Sequence, residues 1–545
     1  MVGYNTGSTG GITAADKNEI IAAAAEAAAE AVEENLDESV QSVLGAADAI
    51  ERLSNKISLQ CDGKIYGVKF PLYTTSGTPT GTRTQAAEGM TAGVSTDTVA
   101  AANDFDYVPL FRNTMVNGYL GEDGEFVETA VEGDLNFARD GSNGDVYSRF
   151  RLSFFRYVID DEYEELQVTD TYRANEGWCP FGIFIKPDGK LREYAYIAAY
   201  EMGYNSEGLA ASISGVPVAH NTYANRSSAT GGLSHNTQRT EITKKGTQYC
   251  GMTTREVAFL QFLFYVEFAT RNSQAIMQGA TNFNSQVHPT VAENGVTRVI
   301  VSNANAAKFP VGCTVSVGIA NPTNSSIDRG NGSMHGIINR RRVLSQEAYD
   351  DSNTALTIDT DDAFDTTTNC YISTMPWYTG ITDGVKGSSG SYISASNAYY
   401  PMKYRGIENL YGNTWTIMSD VIISNYIPYI CYDNSKYQNA PNDDYSTVGY
   451  TLCSTSGWVR ETGYDAQHPS VRLATVVSGS STTYYCDYYY ISAGTNKELL
   501  FGGLISNGAI AGVSHWHANG AVSYVFWTVA ARLSVSGQCG ALIGG

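Results

Sequence analysis

The feature that most restricts the fold of this chain is the segment TTREVAFLQFLFYVEFATRNSQAIMQG, Thr253 to Gly279. Its pattern predicts a helix over 253–278. Thr253 or Thr254 can cap it, and Glu256 stands where a capping-box partner belongs. Apolar residues fall on nearly every side, which a helix facing water does not carry. The most apolar stretch, Val257 to Ala269, is too short to cross a bilayer and contains Gln261 and Glu267. The segment is therefore expected inside a soluble core, packed on a sheet.

The rest of the chain supplies the sheets. Charged residues make up only 17% of the 545 positions, whereas Gly (54) and Tyr (37) are abundant. That balance suits short strands, tight turns and amphipathic contact surfaces. A chain of this length divides into three or four units. The formal charge of −21 excludes a phosphate-binding face of the nucleic-acid type. The nine cysteines (61, 179, 250, 313, 370, 431, 453, 486 and 539) are scattered, with no Cys-x-x-Cys. They read as small buried apolar residues in a chain made in a reducing cytoplasm. The start, MVGYNTGSTGG, has neither the basic nor the apolar part of a signal peptide.

The organisation follows from shifts in pattern. Residues 1–10 are a flexible N-terminus. Residues 11–59 read as one coiled-coil oligomerisation helix, with Leu36, Val40, Val43, Ala47, Ile50 and Ile57 on a narrow seam. Residues 60–136 form a β-rich connecting domain, and 137–290 the first part of a head. Residues 291–376 carry short strands at regular spacing, the pattern of an inserted β-barrel domain. Residues 377–545 are aromatic, Gly-rich and turn-heavy, and complete the head as its ligand-binding domain. Arg340-Arg341-Arg342 lies in a strand pattern of the barrel and reads as a solvated face.

Motifs of catalysis are missing from the sequence: no Gly-x-x-x-x-Gly-Lys-Ser/Thr, no His-Glu-x-x-His and no Gly-x-Ser-x-Gly. Carboxylate runs such as Asp160-Asp161-Glu162 and 359–362 read as solvated turns. Asn442-Asp443-Asp444 lacks the spacing of a calcium loop. His515 and His517 share one face of a strand, which leaves three readings: a metal pair, buried structural histidines, or solvent-facing contact residues. Solvent-facing contact is the preferred one, because no other histidine has a paired spacing. No cofactor and no metal is expected.

Two C-terminal stretches carry a resemblance: YRGIENLYGNTWTIMSD (Tyr404 to Asp420) and LLFGGLISNGAIAGVSHWHANGAVSYVFWTVAARLS (Leu499 to Ser534). With Gly412, Asn413, Trp415, Gly502-Gly503 and Trp527 to Leu533, they resemble C-type-lectin-like domains of the formylglycine-generating-enzyme-like subtype. Such domains occur at phage tail-fibre tips and in proteins varied by diversity-generating retroelements. Upstream, NDFDYVPLF, GYNSEG and TMPWYTGITDGVKGSSGSY are similar to large tail-fibre proteins of gut phages. The resemblance implies variable ligand-binding positions at Leu504, Ser506, Ile510, Ser514, His515, His517, Tyr524, Phe526 and Thr528, joined by Tyr488 and Tyr490. Every one of the nine is reachable by adenine mutation of an Asn codon. Gly503 to Arg532 holds no cysteine, so the oxidase chemistry of the relatives is not expected, and the scaffold is read as a binding one.

These readings converge on one expectation. The fold class is α+β: an N-terminal coiled-coil helix, a β-rich middle, an inserted small β-barrel and a C-terminal C-type-lectin-like fold. The function is that of a tail-fibre receptor-binding protein, an adhesin on a virion made in the host cytoplasm. It is not an enzyme. The resemblance implies a homotrimer, a bacterial cell-surface receptor (protein or glycan), and other virion tail proteins held through the N-terminus. Nucleic acid and membrane insertion are excluded as partners. A polysaccharide depolymerase and a purely structural fibre protein are the rival readings.

Overall fold

The computed structural model describes residues 61–72, 77–173, 176–186, 188–218, 233–320 and 332–535. The expected coiled coil over 11–59 lies outside these residues, as does Cys539. Among the described residues there are thirty-two strands and four α-helices, two of them of only four residues. The α+β expectation is thereby corrected: the described chain is mostly β, in several sheets. Its one long helix is enclosed by sheets instead of forming a layer of its own.

The first α-helix, α1 (His235–Thr243), is capped by Ser234. The second, α2 (Thr254–Phe268), is the segment singled out in the sequence, and all fifteen of its residues are buried. Thr253 donates from its backbone N–H (2.7 Å) and its hydroxyl (3.0 Å) to the Glu256 carboxylate. The buried Asp420 accepts from the N–H of Thr254 at 2.9 Å, a carboxylate at the positive end of the helix. The helix is shorter than the predicted 253–278. It ends at Ala269 in a left-handed conformation (φ 50°) whose N–H returns to the Tyr265 carbonyl. Asn272 then caps a separate short helix, Ser273–Ile276.

Three sheets surround α2. An antiparallel sheet has the order Thr82–Gln85, Ile65–Pro71, Tyr163–Thr169, Phe154–Ile159, Cys179–Pro180. It meets the helix through Phe70 against Tyr265 (5.9 Å between ring centres) and Phe155 against Phe262 (5.2 Å). A six-stranded sheet runs Cys250–Gly251, Leu533–Ser534, Tyr194–Ala198, Asp145–Arg151, Thr114–Leu120, Phe126–Val131. It presents Phe150 to Phe259 at 5.1 Å. A mixed seven-stranded sheet runs Ala474–Val477, Gly457–Thr462, Tyr488–Ile491, Trp516–Ala518, Leu500–Phe501, Trp415–Ile417, Val529–Ala530. Its Tyr489, Phe501 and Trp516 belong to the same core as α2. Residues 61–136 are therefore not a separate connecting unit. Ile65–Pro71 pairs along its whole length with Tyr163–Thr169, and Phe105 and Phe111 sit in the shared core.

Two buried polar residues of α2 are held by partners from distant segments. Glu267 receives Nε and Nη2 of Arg405 (3.0 and 2.6 Å) and the hydroxyl of Tyr404 (2.9 Å). Asp106 takes the remaining Arg405 nitrogen at 2.5 Å. Gln261 donates to the Val513 carbonyl at 2.5 Å, which ties α2 to the C-terminal chain.

Residues 286–374 form a further six-stranded sheet: Gln286–Val287, Cys370–Thr374, Thr314–Ile319, Ile338–Ala348, Asn353–Ile358, Arg298–Ser302. A bridge between Val291 and Ile300 draws its two outer strands towards each other, around a core that also takes in Trp377, Tyr400, Ile505 and Trp527. The arginine run here departs from expectation at one position. Arg340 is buried, and its Nη1 donates to the Val218 carbonyl at 2.9 Å. Arg341 is exposed and Arg342 pairs with Asp359 at 2.9 Å. Among the described residues, no helix is long and apolar enough to cross a membrane.

Candidate ligand-binding face

Side chains alternate between the faces of a strand, and the seven-stranded sheet uses both faces differently. Tyr489 and Ile491 turn inward and are buried, whereas Tyr488 and Tyr490 turn outward and are half-buried. In the parallel neighbour, Trp516 turns inward, so His517 faces out beside its register partner Tyr490. On the other side, Trp458 is the register partner of Tyr488.

The outward rings touch in sequence across the sheet. Trp458 meets Tyr488 edge-on at 5.5 Å, and Tyr488 meets Tyr490 at 4.7 Å. Tyr490 meets His517 at 5.5 Å. The chain after Ala518 then returns over the sheet and stacks Tyr524 on His517 (6.1 Å) and Phe526 on Tyr524 (6.0 Å). Trp415 lies beneath, 4.6 Å from His517 and 6.3 Å from Phe526, and is itself buried. Trp458, Tyr488, Tyr490, Tyr524 and Phe526 all keep part of their surface in water. The result is an uninterrupted aromatic ribbon.

His515 is no part of that surface. It is fully buried, and both of its nitrogens are engaged. The indole Nε1–H of Trp415 donates to Nε2 at 3.2 Å. An indole nitrogen only donates, so Nε2 is the acceptor and the proton sits on Nδ1. Nδ1–H then donates to the Ile510 carbonyl at 2.7 Å. Burial, with His517 nearby, pushes the His515 pKa down to about 3, and burial takes His517 to about 4, so both rings are neutral near pH 7. The expectation of two solvent-facing histidines is corrected: His515 is a buried structural histidine, and His517 is only 7% exposed. Among the described residues, no group of three metal-ligating side chains occurs.

Other predicted positions also fall inside. Ser514 is buried, with its hydroxyl bonded to that of Tyr265 and its N–H donating to Asp487 at 2.7 Å. Leu504 and Thr528 are buried as well. The reason is local. Gly512 to His515 precede the strand at Trp516, so they do not follow its alternation. A Cβ at Gly512 would stand 2.1 Å from the Asp487 carboxylate, and one at Gly503, where φ is +91°, 2.6 Å from Ala511 Cβ. These close approaches fold residues 503–515 against the sheet. Ser506 is exposed and Ile510 half-buried, and neither joins the chain of ring contacts.

The structure thus brings together Tyr488, Tyr490, His517, Tyr524 and Phe526 from the predicted set. It adds Trp458 and Trp415, which the sequence reading did not assign to the face. The signal for Trp458 was present in the alternation of GWVRET, residues 457–462. Lys497 is turned aside, its ammonium donating to Ser492 Oγ (3.1 Å) and to the Asn519 carbonyl (3.0 Å). Compared with family models and with curated proteins, the chain finds no match.

Proposed function

We propose that the aromatic ribbon is a ligand-binding face and that the chain serves as an adhesin of the phage tail-fibre kind, attaching a virion to a bacterial surface molecule. One observation carries this reading: half-exposed, uncharged rings run from Trp458 to Tyr490 and from Tyr524 to Phe526, joined through the buried His517, over a sheet whose other side is packed. Rigid aromatic rings give large contact area at low conformational cost, which is how recognition surfaces gain affinity. The fixed floor of Trp415 and His515 holds the rings in place before a ligand arrives. In this reading, sequence variation is confined to positions that reach the surface. Leu504, Ser514, His515 and Thr528 stay constant, because each fills the interior. A homotrimer would multiply a weak single face by about 10²–10⁴ where three ligands are within reach.

The test is adsorption of purified protein to susceptible cells. The double variant Tyr490→Ser/Tyr524→Ser should stay folded, with a thermal midpoint within about 5 °C of the parent's, and lose at least tenfold in cell binding. Unchanged binding with an unchanged fold would remove the ribbon from the mechanism.

A further inference from the structure

Behind the ribbon, on the α2 side of the same sheet, lies a group of charged residues that the binding face does not use. Glu164, Gln261, Tyr265, Thr462, Arg472 and Tyr485 line a cavity with about 20 Å³ of free space. That is room for one water-sized occupant. Two guanidinium groups share one carboxylate here. Arg271 pairs with Glu164 Oε1, and Arg472 stands 3.7 Å from Oε2. The hydroxyl of Tyr157 donates to Oε2 at 2.7 Å. Both arginine side chains are nine-tenths buried or more. Arg271 lies against the rings of Phe70 (4.4 Å) and Tyr485 (4.3 Å), and Arg472 against Tyr157 (4.3 Å).

The arrangement is one negative charge short. Arg472 Nη2 donates to Thr462 Oγ1 at 3.2 Å, but its Nη1 meets no acceptor among the described residues. The neighbouring Asp487 does not correct this: among the described residues it forms no ion pair with either arginine, its Oδ2 accepts the Ser514 N–H at 2.7 Å, and burial raises its pKa above the usual carboxylate value. A buried cation left uncompensated costs more than one with a partner. We propose that the cavity holds a small monovalent inorganic anion, of chloride size, as a structural ligand of Arg472. The anion would complete a joint between the strand Tyr163–Thr169, α2 and the segment 462–485, whose Tyr485 lies three residues before the strand that carries Tyr488 and Tyr490. Arg271 and Arg472 also draw the Tyr485 hydroxyl towards its phenolate, which is the other way to supply the missing charge.

The experiment is thermal unfolding of the full chain in sodium chloride and in sodium gluconate at equal ionic strength. Chloride should raise the midpoint saturably, by about 2 °C. Bromide should do the same, and Arg472→Gln should abolish the difference. Where Arg472→Gln does not fold, the ³⁵Cl line width of the unaltered protein decides the matter. Broadening that bromide competes away supports the site. Equal midpoints in the two salts, or an unbroadened line, overturn it. So does a phenolate absorbance near neutral pH that persists in chloride and vanishes in Tyr485→Phe.

Discussion

Along the strands Tyr488–Ile491 and Trp516–Ala518, the two faces of the seven-stranded sheet carry the same kinds of residue and meet different fates. Tyr489, Phe501 and Trp516 look inward and join the core around α2, whereas Tyr488 and Tyr490 look outward and stop half-covered, with His517 buried beside them. Aromatic content alone therefore does not mark a binding face. What distinguishes the faces is which one already has a partner inside the chain. The sharpest way to break this comparison is truncation on the packed side. Trp516→Ala removes a buried ring and should cost about 3–5 kcal/mol, seen as a large fall in the denaturant midpoint. A loss below about 1 kcal/mol would mean that the inner face is not packed as described.

The same logic applies to charge. Arg405 is fully buried, with its nitrogens divided between Glu267 and Asp106. Arg405→Met leaves the Glu267 carboxylate buried beside Tyr404 and should cost about 3 kcal/mol, measured by chemical denaturation. Next in size is Gly503→Ala, where a positive φ and a 2.6 Å approach to Ala511 coincide. A loss of about 2 kcal/mol is expected, together with weaker cell adsorption, because residues 503–515 support the floor of the ribbon.

How far the sequence disclosed all this depends on the distance between partners. The cap of α2 was legible because Thr253 and Glu256 are three residues apart, and its all-round burial because every side of the helix is apolar. Tyr488 and Tyr490 came only with the positions that the resemblance implied, although the alternation of the strand Tyr488–Ile491 turns both outward. The burial of His515 was not legible, since its partner Trp415 lies 100 residues earlier. Arg340 was misread for the same reason, its acceptor Val218 being 122 residues away. The supposed boundary near residue 136 fails because Ile65–Pro71 takes its register from Tyr163–Thr169, a pairing no local pattern announces. The α+β class rested on helical periodicity, strongest over 11–59, while many two- and three-residue strands were too short to register as a period.

Acid should sharpen the contrast between the two histidines and the carboxylates around α2. His515 and His517 have folded pKa values pushed down to about 3 and about 4, below an unfolded value near 6.5. The folded state therefore binds fewer protons, and the stability these groups hold above pH 6.5 is lost as pH falls towards 4. By pH 5 each contributes a loss of about 2 kcal/mol. Glu256 and Glu408, raised to about 7 by burial, act in the opposite sense, since they favour the folded state as pH falls from 7 to 4.5. The histidine effect is thus read as a difference. The midpoint of His517→Phe should fall less than that of the parent between pH 7 and pH 5, and parallel curves would contradict the burial of His517.

The smallest expected effect on stability tests the comparison most directly. Tyr490 is outward and half-exposed, and its neighbours Tyr488 and His517 are themselves held by the sheet. Tyr490→Ser removes ring contacts at 4.7 and 5.5 Å but opens no interior cavity. A loss of about 1 kcal/mol or less is expected in denaturant, several-fold smaller than for Trp516→Ala one strand away. The two positions are register neighbours of the same strand pair, so local backbone stability cannot account for the gap between them. Equal losses at the two positions would show that the outer face is packed like the inner one, and the ribbon would then be core left uncovered, with no claim to a ligand.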